Sequence, residues 1–76
     1  MRAILNRMIP ERIQAARADR GWTQAELARR MGLSPAFGQI QVSHWENDRK
    51  APSAKNLIRL ADALAVSVDY LLGVDQ

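Results

Sequence analysis

Apolar positions in this chain recur at intervals of three and four rather than two, and the residues between them are those of helix ends. Ile9, Ile13 and Ala16 share one helical face, Pro10 suits a first helical position and Gly21 suits a left-handed stop. This predicts a first helix over residues 10–20. Thr23-Gln24-Ala25-Glu26 has the form of a capping box, in which the Thr23 hydroxyl and the Glu26 carboxylate satisfy each other's free amides while Trp22 staples onto Leu27. A second helix over 24–31 buries Leu27, Ala28 and Met31 and ends at Gly32. Val42 and Trp45, three apart, require a third helix that stops near Asp48, ahead of a basic segment and Pro52; the pattern leaves its start open. Ser53 caps a fourth helix whose Leu57, Ile58, Leu60, Ala61 and Leu64 give the clearest amphipathic stripe. Ser67 caps a short fifth, Val68 to Leu72, closed by Gly73. No alternating strand pattern survives, so the expected fold is all-α, five short helices around one core. Residues 1–8 are expected to precede it as a frayed extension or an arm, with the domain over 9–76.

Seventy-six residues make one domain of marginal stability. The absence of cysteine removes disulfides, thiolate metal sites and thiol nucleophiles, and one histidine builds no metal cage, so no cofactor is expected. Apolar runs fall short of the roughly 20 residues that span a bilayer, and the first eight residues are too short for a signal peptide. Membrane partners are therefore not expected, and a cytoplasmic location is. The net charge of +3 is unevenly spread. Arg2, Arg7, Arg12, Arg17, Arg20, Arg29 and Arg30 crowd the first thirty residues, Arg49, Lys50, Lys55 and Arg59 follow the middle, and the tail carries acids alone. A polyanion would be drawn to one end more than the other.

Thr23-Gln24, Leu27-Ala28, Gly32, Val42-Ser43-His44-Trp45-Glu46-Asn47, Pro52-Ser53 and Val66-Ser67-Val68-Asp69-Tyr70-Leu71-Leu72-Gly73 form an ordered series. As a set it resembles the phage-repressor-like helix-turn-helix family, the Cro and lambda-repressor type also called XRE, over about residues 9–73. The resemblance implies that the second helix crosses a DNA backbone while the third enters the major groove. There are three departures. Leu33-Ser34-Pro35-Ala36-Phe37-Gly38 separates helices two and three by about four residues more than the family's turn. Either 33–38 is a longer loop with Gly38 as cap, or Ser34 caps and Pro35 opens a longer third helix. The loop is favoured, because Gly38 inside a helix costs about 1 kcal/mol and that helix would expose Phe37. Ala65 stands where a helix-ending glycine is common, and Asp48 where a glycine often follows Glu-Asn, so local backbone strain is expected at both.

On a helical wheel Val42, Trp45 and Glu46 face inward, leaving Ile40, Ser43, His44 and Asn47 outward and Gln39 at the leading end. In the docking that the resemblance implies, these five are the base-reading candidates. Gln39 can pair with adenine, His44 with guanine or phosphate, and Ile40 can meet a thymine methyl. Phosphate contacts are expected from Thr23 and Gln24 at the start of helix two, from Gln41 at the edge of helix three, and from Arg49, Lys50, Ser53 and Lys55 beyond it. Arg29 and Arg30 are expected to be solvated. Arg17 and Glu46 match family positions that resemble a buried pair, which would orient the reading helix.

The expected function is that of a sequence-specific double-stranded DNA-binding regulator, a repressor and not an enzyme. An antitoxin or protein-interaction module on the same fold is the alternative. Nothing in the sequence points to a small-molecule ligand, and with so little chain after helix five, control by concentration or by a partner is expected. A homodimer on a palindromic operator would use apolar surface at Val66, Val68, Tyr70, Leu72 and Val74.

Overall fold

A computed structural model describes residues 2–74, with side chains from Met8 to Val74. Its elements are α1 (Arg2–Asp19), α2 (Gln24–Arg30), α3 (Pro35–Glu46), α4 (Ala54–Leu64) and α5 (Val68–Leu72), with no strand among the described residues. Hydroxyl caps set three of the starts. Thr23 accepts from the Glu26 amide at 3.0 Å, Ser53 from Asn56 at 3.2 Å and Ser67 from Tyr70 at 2.9 Å. The reciprocal half of the expected capping box is replaced: the Glu26 carboxylate turns to Arg29 and Arg30, where charged donors outbid a neutral amide.

Helix α1 begins eight residues earlier than the pattern predicts, and Pro10 lies inside it. Residues 2–8 are mostly strong helix formers, and Ile9 and Ile13 are both buried, so packing secures the helix across the one hydrogen bond that a proline removes. From Arg2 onward the expected arm is thus about the first two turns of α1. Met1, and the side chains of Arg2 and Arg7, lie outside the described residues.

The expected loop over 33–38 is also corrected. Ser34 is the N-cap and Pro35 the first residue of α3, so the additional residues form an extra helical turn. The glycine that argued against a helix is what permits it. Gly38 is buried, and a Cβ there would lie 2.6 Å from the Cβ of Ala28 and 2.8 Å from that of Leu33. The close approach of α3 to α2 offsets the propensity cost, while Phe37, one residue earlier, is 60% exposed.

The core draws on every helix. Ile13, Leu27, Val42, Leu60, Leu64 and Leu71 are fully buried, and Ile9, Met31 and Trp45 nearly so. Each large aliphatic side chain in such a position contributes about 1.5–3 kcal/mol of burial. Ile58, expected in the α4 stripe, instead points outward. Asp48 and Ala65 both hold left-handed backbone, φ 58° and 57°, where the sequence departs from glycine.

Candidate nucleic-acid interface

The outward face of α3 is positioned from within. Glu46, at the end of α3, is buried and takes two bonds from Arg17 of α1, from Nε to Oε2 at 2.6 Å and from Nη2 to Oε1 at 2.9 Å. Arg17 Nη1 also donates to the Trp22 carbonyl at 2.8 Å, so one guanidinium ties α1, the α1–α2 turn and α3 together. The hydrogen bonds to Glu46 raise the Arg17 pKa above its ordinary value, outweighing the desolvation that lowers it.

The same carboxylate reaches the surface through two amides. Gln24 Nε2 donates to Glu46 Oε1 at 3.0 Å, and Gln39 Nε2 donates to Gln24 Oε1 at 2.8 Å. An ionised carboxylate only accepts, so Gln24 must present its nitrogen to Glu46 and its oxygen to Gln39. Gln39 must then turn its own nitrogen toward Gln24. Its Oε1 and second Nε2 hydrogen remain to meet a ligand, the acceptor and donor that match an adenine edge. Gln24, expected at a phosphate, was not expected to make this link: it opens α2 while Gln39 lies in the second turn of α3, and only the packing of α2 on α3 brings the two together.

The five base-reading candidates, Gln39, Ile40, Ser43, His44 and Asn47, line one open depression together with Arg49. Ile40 is 53% exposed, while Gln39, Ser43 and His44 are half-buried. Asn47 folds back, its Nδ2 donating to the Ser43 carbonyl at 2.8 Å and lying 3.3 Å from the Ser43 hydroxyl. The turn after α3 also folds back, with the Arg49 amide on the His44 carbonyl at 2.9 Å, which brings Arg49 to the end of the depression.

The remaining phosphate candidates do not line that depression. Thr23 and Ser53 use their hydroxyls as caps, Gln41 is half-buried on the other flank of α3 from Ser43, and Lys50 and Lys55 are exposed. Arg29 and Arg30, expected to be merely solvated, both bond Glu26 at 2.7 Å, and Arg30 lies 4.1 Å over the Trp22 ring. The Arg29 hydrogen bond, opposed by desolvation and aided by the smaller effect of Arg30, holds the Glu26 carboxyl down to about 2. In the tail, Val66, Val68, Tyr70 and Leu72 pack partly against the core, and Val74 is 44% exposed. Arg12 covers the Tyr70 ring at 4.5 Å, which reduces the apolar surface expected there.

Two α-helices joined by a short turn, with a polar outer face on the second, define a helix-turn-helix protein. A helix-turn-helix family profile matches residues 13–71. The chain is 35% identical over 66 residues to the HTH-type transcriptional regulator ImmR of Bacillus subtilis, covering 87% of this chain and 49% of that protein. It is 37% identical over 68 residues to repressor protein C2 of Salmonella phage P22, covering 90% of this chain and 30% of that one. The chain thus spans half or less of the length of these two relatives. Among solved structures, the P22 c2 repressor in complex with a synthetic operator superposes with a TM-score of 0.77 at 37% identity, covering 88% of this chain and 96% of that one. The chain belongs to the helix-turn-helix family, in its phage-repressor-like branch.

Proposed function

We propose that this protein is a sequence-specific double-stranded DNA-binding repressor of transcription that places α3 in the major groove. The carrying observation is that Gln39, Ile40, Ser43, His44 and Asn47 gather on one face with Arg49 at its end, while Gln39 is held by a network anchored in the core. Operator binding by the P22 c2 relative supports the same docking. In this docking the five residues address base edges, and Thr23, Gln24, Gln41, Arg49, Lys50, Ser53 and Lys55 address phosphates. Arg17 and Glu46 act as the positioning pair. Two copies bind a palindrome through the α5 end, where Val74 is exposed. The site of action is the cytoplasm, and no helix among the described residues is long and apolar enough to cross a membrane.

A mobility-shift titration against random and genomic duplex at several salt concentrations tests the proposal. The logarithm of affinity should fall by about 0.9 per log unit of salt for each phosphate neutralised. Equal affinity at low and physiological salt would contradict it.

A further inference from the structure

We propose that Phe37 reads a thymine 5-methyl group at the base pair beyond the one met by Ile40, on the side away from His44. This rests on the DNA-binding reading above and extends it to a residue in the extra turn of α3. Phe37 is 60% exposed and Ile40 53% exposed, whereas Gln39, Ser43 and His44 beside them on α3 are polar. Phe37, Ile40 and His44 stand at i, i+3 and i+7, a spacing that sets them in one strip along the helix. The strip therefore continues the depression that Ile40 and His44 already line.

The turn that carries Phe37 is fixed in place. The Gly38 amide donates to the Ser34 carbonyl at 2.7 Å, and Gly38 sits so close to Ala28 and Leu33 that α2 supports the turn from below. Three residues advance a helix by about 4.5 Å, a little more than the roughly 3.4 Å between base pairs, so the two apolar tips fall on neighbouring pairs. In the major groove the only apolar group a base edge offers is the thymine methyl. Phe37 and Ile40, even with the exposed Pro35 and Ala36 beside them, are too little surface for a protein partner, since a stable protein interface covers about 800 Å² on each side.

The test begins with the duplex that the parent chain selects from a random library. Each thymine is replaced singly by deoxyuridine, which lacks only the methyl group, and binding is measured for the parent and for Phe37→Ala. One replacement should weaken the parent about fourfold, as expected for one methyl returned to water, and leave Phe37→Ala unaffected. Phe37→Leu, still apolar, should respond in the same direction as the parent, and both variants should keep the parent's melting curve. If Phe37→Ala responds to every replacement as the parent does, or no thymine is selected at that pair, the assignment is overturned while the DNA-binding reading stands. A change in the sedimentation of free protein on Phe37→Ala, with deoxyuridine responses unaltered, would overturn it in favour of a second copy on this face. If the parent binds no duplex in a salt-dependent way, the DNA-binding reading fails and the assignment with it.

Discussion

Arg17→Ala would strand a carboxylate inside the fold. The Glu46 side chain is 1% exposed, and after the substitution its remaining side-chain partner among the described residues is the Gln24 amide at 3.0 Å. Breaking a buried pair from one side costs about 3–5 kcal/mol. The Arg17 side chain is 21% exposed, so solvent already screens part of the interaction and about 3 kcal/mol is the expected loss. A chain of this size has about 4–11 kcal/mol of stability in all, so the variant should unfold at markedly lower urea with an unchanged m-value. Glu46→Ala should cost a similar amount. The double variant Arg17→Met with Glu46→Leu should recover to within about 1 kcal/mol of the parent, because an apolar pair needs no charge compensation. It should nevertheless lose sequence preference, since Gln24 no longer has an acceptor that dictates which way it turns toward Gln39. A loss below about 1 kcal/mol in Arg17→Ala would refute the reasoning and make the pair an ordinary solvated one.

Gly38→Ala should destabilise despite better helix propensity, because overpacking against Ala28 costs about 1–3 kcal/mol against a propensity gain of about 1; denaturant titration checks the sign. Ala65→Gly should stabilise by about 1 kcal/mol by relieving a left-handed alanine, and Asp48→Gly by less, since aspartate tolerates that region better; thermal melts rank the two. The Glu26 carboxyl is lowered to about 2, so its contribution is complete above the ordinary value of 4.5 and is lost as pH falls toward 2. Glu26→Gln should therefore melt below the parent at pH 6, with the gap narrowing below pH 4.5 and closing as the pH falls through 2.

Much of the fold was legible because helix ends advertise themselves chemically. Thr23, Ser53 and Ser67 cap where they should, Gly73 closes α5, and Val42 and Trp45 fix the inward face of α3 from either possible start. Local propensity failed where tertiary contact overrode it. Gly38 reads as a breaker in isolation, and its value appears only when Ala28 of α2 lies against it. Pro10 likewise reads as a start, whereas burial of Ile9 and Ile13 on either side carries the helix through. In the candidate site the outward strip followed from helical arithmetic. The path from Glu46 through Gln24 to Gln39 did not, because it crosses 22 and then 15 residues of sequence and depends on how two helices pack.

The central claim is that α3 reads bases while the cations around it hold phosphates, and it is tested most directly by selecting duplexes from a random library with the parent, Gln39→Ala and Arg49→Ala. Gln39→Ala should lose about 1–3 kcal/mol on the preferred site, relax preference at one base pair per half-site and leave non-specific binding nearly intact. Arg49→Ala should weaken all duplexes alike, keep the selected sequence and reduce the salt slope by about one unit. If Gln39→Ala and His44→Ala both select the parent's sequence unchanged, α3 does not read the groove and the account is wrong.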